Sequence, residues 1–133
     1  MLAICVLLLN AHAQVLPLIP QPNKVELQKG NFTINKNTII HSEKNAEEAA
    51  YLKQYILENY GLKLKVTHKI KEETNTITFL KATEKACENN KEEYQLNVSA
   101  NSIKIFATSN TGIFYGIQTL IQLLPIEKNN VLC

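Results

Sequence analysis

Leu64 and Val66 alternate with Lys63, Lys65 and Thr67, and the same period of two recurs at Ile77 and Phe79, Leu96 and Val98, and Ile103 and Ile105. A period of two sends successive side chains to opposite faces of a strand, so each segment has a dry side and a wet side. Upstream, Val25 and Leu27 alternate with Lys24, Glu26 and Gln28, which predicts a short strand. Gly30 and Asn31 turn the chain into Phe32-Thr33-Ile34, and Thr38 to His41 is a further strand-like piece. Clean in–out alternation is typical of antiparallel pairing. The expectation is therefore a mainly antiparallel sheet, with mixed pairing allowed. Ser99 to Ser102 is the expected hairpin turn between the last two strands, with Asn101 able to take positive φ.

Two segments switch to a helical period. Ser42 or Asn45 opens a helix that runs to about Tyr60, with Gly61 as its terminal glycine. Its apolar positions Ala49, Leu52, Ile56 and Tyr60 share one face, and Glu47 and Glu48 occupy the first turn, where they suit the helix dipole. The second helix is expected from an N-cap at Asn110 to a stop at Pro125, with a stripe of Ile113, Phe114, Ile117, Leu120, Ile121 and Leu124. Gly112 and Gly116 lie one turn apart inside it, although each glycine costs a helix interior roughly 1 kcal/mol relative to alanine. We read them as small residues that let the helix approach the sheet or a neighbouring domain closely. Two helices and a one-faced sheet bury each other, which gives an α+β two-layer sandwich with both helices on one face.

At 133 residues the chain has room for one domain. The apolar run Leu2 to Leu9, closing on Ala11-His12-Ala13 before Gln14, has the form of a secretory signal peptide over residues 1–13. It is far shorter than the roughly 20 apolar residues that span a bilayer. Residues 14–23 hold three of the four prolines and read as an extended lead-in; the domain follows at 24–125, with a tail at 126–133. The charged segment 84–93 reads as a solvated loop. Export, periplasmic or extracellular, is the expected localisation.

Composition removes several chemistries. There is no Asp, no Arg and no Trp: every acid is Glu and every strong base is Lys. A net charge of +2 with scattered lysines forms no basic stripe for nucleic acid. His41, His68, Cys87 and Cys133 lack zinc spacing, and Cys87 and Cys133 allow a disulfide without requiring one. The pairs Glu47–Glu48, Glu72–Glu73 and Glu92–Glu93 are candidates for acid–base work only in principle, since each lies in a polar context that suggests solvated surface. Tyr115 reads as packing, and the turn Asn110 to Gly112 could hold a phosphate only as a bare helix N-terminus. Asn31-Phe32-Thr33 and Asn97-Val98-Ser99 are glycosylation sequons. No catalytic, cofactor-binding or metal-ligating residue is assigned.

Three pieces in order nevertheless resemble one family: LPLIPQPNKVELQKG from Leu16 to Gly30, Tyr94-Gln-Leu-Asn-Val98 leading to Ile103-Lys-Ile105, and SNTGIFYGIQTLIQLLP from Ser109 to Pro125. Together they resemble the non-catalytic N-terminal domain that precedes the barrel of β-N-acetylhexosaminidases of glycoside hydrolase family 20. Ancillary domains of α-glucuronidases are the nearest confusion. The resemblance implies an enzyme that removes terminal N-acetylhexosamine through an Asp–Glu pair in a (β/α)8 barrel, with the substrate's own acetamido group as nucleophile. None of those residues can be placed on this chain. The expectation is an inactive ancillary domain, as a fragment or truncated product. Its partner is the barrel, which would dock on an apolar patch near the last helix or Pro125. That patch could also drive self-association. A free-standing glycan-binding module is the alternative.

Overall fold

The computed structural model of the chain describes Ile19, the backbone of Val25–Leu27, and residues 30–69, 73–82 and 91–125. The expected signal peptide, most of the lead-in, most of the 84–93 loop, all three cysteines and the tail lie outside the described residues. Six strands and two helices follow in the order β1 (Val25–Leu27), β2 (Ile39–Ser42), α1 (Ala46–Tyr60), β3 (Lys65–Thr67), β4 (Thr76–Lys81), β5 (Tyr94–Val98), β6 (Ser102–Ala107) and α2 (Asn110–Leu123). They form one sheet in the order β1-β5-β6-β4-β2-β3. Both helices contact the sheet, α1 over β2 and β3 and α2 over β5 and β6.

The two-layer α+β sandwich is as expected, and the sheet is mixed. Its balance is the reverse of the expected one: β5 and β6 pair antiparallel, while β1–β5, β2–β3, β2–β4 and β4–β6 are parallel. Alternation reports which face of a strand is dry, and direction is set by the connections. Neighbours β2 and β3 are joined through α1, and a strand–helix–strand unit can only return the chain parallel to itself. Among hydrogen-bonded neighbours, only β5 and β6, joined by the short turn at Ser99–Ser102, run in opposite directions. Ser99 closes it, with its backbone N–H donating to Ser102 O at 2.9 Å and its Oγ accepting from the Ser102 N–H at 3.1 Å. Asn101 is not in the left-handed region.

That conformation falls instead to Asn75, at φ 56°. Its side chain explains why asparagine stands there. Asn75 Oδ1 accepts from Thr38 Oγ1 at 2.7 Å, and its Nδ2 donates to Asn35 Oδ1 at 3.3 Å. Asn75 also accepts from the Ile39 N–H and donates its own N–H to Asn101 O at 2.7 Å. One residue thus ties the turn before β2 to the start of β4 and to the β5–β6 hairpin. Phe32 and Ile34, expected as a strand, make only an isolated bridge at Thr33, yet both are buried.

In-register neighbours share a face, so Ile40, Ile77, Ile103, Ile105 and Leu96 form one dry layer. Leu52 and Ile56 of α1 and Ile113, Ile117 and Leu120 of α2 close over it, and all are essentially inaccessible. Burying each such side chain contributes about 1.5–3 kcal/mol. The wet-face expectation fails at β4, where Thr76 and Thr78 on the other face are buried as deeply as Ile77 and Phe79. β4 is central, flanked by β6 and β2, so the side chains of both neighbouring strands crowd Thr76 and Thr78 laterally on that face.

The C-terminus of α1 and the N-terminus of α2 are capped, whereas Asn45, the N-cap of α1, makes no side-chain capping bond. Gly61 closes α1 at φ 70°, its N–H donating to Leu57 O. The N-cap of α2 is Ser109, one residue earlier than expected, and its Oγ accepts from the Gly112 N–H at 3.1 Å. The two helices run side by side in the same direction. Asn45 Nδ2 donates to Asn110 Oδ1 at their N-termini, and the Tyr60 hydroxyl donates to Pro125 O at their C-termini.

The glycines of α2 face the sheet. A Cβ on Gly116 would lie 2.4 Å from Ile105 Cγ2, and one on Gly112 would lie 2.5 Å from Glu93 O and 2.7 Å from Ala107 Cβ. Gly116→Ala gains up to about 1 kcal/mol of helix propensity but meets an overpacking cost of about 1–3 kcal/mol. We expect net destabilisation, read as a lower urea midpoint. Ile105→Ala removes the opposing methyl, so the double variant should lose less than the sum of the two singles.

Beneath the same helix the Tyr94 hydroxyl meets Thr119 Oγ1 in a buried contact. Burial raises the Tyr94 pKa above 10.0, and the bond to Thr119 opposes part of that rise. A raised pKa means that the fold favours the neutral phenol. That stabilisation is complete below pH 10, about the unfolded value, and is lost as pH climbs toward the folded pKa. Tyr94→Phe should therefore flatten the alkaline limb of the stability profile, measured by urea midpoints from neutral pH upward.

Candidate functional site

Two places on the surface gather chemistry, one on each side of the sandwich. On the helix side, Tyr51 of α1 and Phe114 of α2 meet with ring centroids 5.3 Å apart, and Tyr115 extends the cluster at 6.4 Å from Phe114. Gln118 Nε2 donates to the Tyr51 hydroxyl at 2.9 Å and fixes that ring across the helix pair. Tyr51 is 40% exposed and Phe114 38%, although both rings sit over the middle of the helix layer. With Glu47, Glu48 and Asn110 they line an open cleft of about 510 Å³.

Glu48 departs from the expectation of a solvated pair. Its Oε2 is sealed from solvent and has no hydrogen-bond partner. α1 and α2 bring their N-termini together at Asn45–Asn110, which sets Glu48 of the first turn of α1 beside Phe114 and Tyr115 of α2. Glu47 is exposed, as expected. Glu73 is exposed and pairs with Lys104 at 3.6 Å, and Glu92 is exposed too. A buried carboxylate oxygen without a donor makes Glu48 a residue that composition and spacing missed. The available signal was helical: Glu48, Tyr51 and Tyr55 are spaced i, i+3 and i+7 beside the buried stripe.

The remaining candidates resolve individually. Tyr115 is half-buried against the core, as read. The first turn of α2 is no open anion site, because Ser109 already occupies the Gly112 N–H and Asn110 is bonded to Asn45. Of the two sequons, Asn31 and Thr33 are exposed, whereas Asn97 lies in β5 between two strands with its Oδ1 buried and unpartnered. Cys87 and Cys133 fall outside the described residues. Among the described residues, no group of three or more metal-ligating side chains converges. None of the helices among them is long and apolar enough to cross a membrane.

His41 and His68, however, come together on the other side of the sheet. His41 Nε2 lies 3.2 Å from His68 O, and His68 Nδ1 lies 2.7 Å from Ser42 O. Carbonyl oxygens only accept, so His41 carries its proton on Nε2 and His68 on Nδ1. Long-range ¹H–¹⁵N correlation spectra of the neutral imidazoles should show these opposite tautomers; the same tautomer at both would contradict the geometry.

A family model described as "Glycosyl hydrolase family 20, domain 2" matches residues 15–132. The chain belongs to that family. Its fold is similar to solved members: the exo-β-N-acetylglucosaminidase of Vibrio harveyi in complex with N-acetylglucosamine, at 26% identity and a TM-score of 0.65; the β-N-acetylhexosaminidase of Streptomyces coelicolor A3(2), at 28% and 0.62; and the chitobiase of Flavobacterium johnsoniae, at 26% and 0.61. These superpositions cover 88%, 81% and 86% of this chain, but only 18%, 21% and 19% of those proteins. The chain spans about a fifth of the length of the enzymes it matches. Among curated proteins none matches. In those enzymes the matching region is one part of a longer chain.

Proposed function

We propose that this chain is the ancillary N-terminal domain of an exported β-N-acetylhexosaminidase, with residues 24–125 as the folded unit, and that it supports the catalytic barrel without doing chemistry itself. Membership of family 20 domain 2 supports the enzyme class, and the matched enzymes are named for N-acetylglucosamine and N-acetylhexosamine. Export rests on the apolar run closing at Ala11-His12-Ala13.

The observation that carries the supporting role is the cleft of Tyr51, Phe114 and Glu48. Half-exposed aromatics over the centre of a helix layer are anchors for a partner. Glu47 and Glu48 at the edge of the cleft add acidic side chains beside these rings. The alternative, a sugar-binding platform, needs rings that can lie flat on a pyranose. Here Tyr51 and Phe114 are tilted by 52° and Phe114 and Tyr115 by 51°, which favours an interlocking protein surface.

Two measurements test the reading. The purified chain should give no turnover of a chromogenic N-acetylglucosaminide, and activity that co-purifies with it through successive columns would overturn the ancillary role. In the full-length enzyme, Phe114→Ser with Tyr51→Ser should lower the thermal midpoint and expose the inter-domain linker to protease. In the separate chain the same changes should matter little, since both rings are already partly exposed. Equal effects in the two contexts would remove the docking role.

A further inference from the structure

The second surface lies on the side of the sheet away from the helices. His41, Thr67 and Thr78 share one register row across β3, β2 and β4, and Lys104 of β6 continues it. On this face lies a trough of about 860 Å³, lined among others by Ile39, His41, Lys65, Thr67, His68 and Lys69.

Its electrostatics are one-sided. Two lysines and two histidines line it, and no carboxylate is among its described lining residues. Lys65 and Lys69 are exposed and have no ion-pair partner among the described residues, whereas Lys104 on the same face is neutralised by Glu73. His41, only 4% exposed, keeps a lone pair on Nδ1 that receives no hydrogen bond. His68 spends its Nδ1 proton on Ser42 and, being exposed, has Nε2 left for a ligand. Thr67 Oγ1 is held by the Lys69 backbone, which fixes the turn that presents Lys69, while Lys65 projects from β3.

We propose that this trough binds a saccharide bearing an oxyanion, a carboxylate or a sulfate ester. Lys65 and Lys69 take the charge, Ile39 supplies an apolar wall for a sugar ring, and the exposed His68 Nε2 suits a ligand rich in hydroxyls. The oxyanion half follows from the lining alone; the saccharide half rests on the glycosidase reading above. The site would hold an acidic glycan chain on the side of the domain opposite the proposed barrel surface.

The test is an amide NMR titration of the chain with a glucuronate-containing disaccharide, 6-O-sulfo-N-acetylglucosamine, neutral N-acetylglucosamine and sodium sulfate. One or both acidic sugars should shift residues 39–41 and 65–69 saturably, and which of them does so separates carboxylate from sulfate. Neutral sugar should bind at least about tenfold more weakly, and K65Q/K69Q should weaken acidic-sugar binding by about tenfold with an unchanged melting temperature. No saturable shift with either acidic sugar overturns the proposal. Equal binding of inorganic sulfate overturns its saccharide half and leaves a simple anion site. These outcomes are independent of the hexosaminide assay and the Phe114 variants, so failure of one reading is distinguishable from failure of the other.

Discussion

The close seating of α2 on β5 and β6 is the constraint from which the rest of the structure follows. At Gly112 the helix backbone meets the Glu93 carbonyl and Ala107, and at Gly116 it meets Ile105 and the Tyr94 ring, with no room for a Cβ at either. This approach places Ile113, Ile117 and Leu120 deep in the dry layer and Thr119 against Tyr94. It also determines what remains outside. A helix held this near the sheet has room for α1 at its side in the same direction, so the two N-termini converge and Phe114 emerges beside Tyr51. The helical cost of two glycines is offset by van der Waals contact along β6, since interiors are close-packed and a small gap forfeits much of that attraction.

Much of this was legible because period and burial are local properties. Ile103 and Ile105 had to share a face, and the stripe on α2 had to point inward, whatever the topology. Gly112 and Gly116 were readable as an approach surface for the same reason. Strand direction was not legible, because nothing within Ile39–Ser42 or Thr76–Lys81 states which neighbour it will choose. That choice depends on α1 returning the chain alongside β2. Asn75 and Asn101 show the same limit at smaller scale. Both are turn asparagines, and the positive φ fell to the one whose side chain had Thr38 and Asn35 to bond.

The candidate sites were hidden for a related reason. Glu48 looks solvated among its sequence neighbours, and its aromatic roof arrives from α2, more than sixty positions later. His41 and His68 have no metal-like spacing, and they meet only because β2 and β3 pair in parallel register, setting His41 beside Thr67. Their contact is a ring-to-backbone hydrogen bond, which spacing rules for paired side chains do not describe.

The two faces of the sandwich therefore have different physical characters, and this asymmetry bears on function. The helix face offers tilted aromatic rings beside Glu47 and Glu48, features satisfied by an interlocking protein surface. The opposite face offers the ammonium groups of Lys65 and Lys69, threonines and the exposed His68 imidazole, features satisfied by a hydrated, hydroxyl-rich anion. A partner suited to one would be poorly served by the other: an apolar protein surface would desolvate Lys65 and Lys69 without pairing them, and an anionic glycan would be repelled by Glu47 and Glu48. The sheet keeps two such surfaces back to back, and the close seating of α2 at Gly112 and Gly116 fixes the helix face relative to β5 and β6.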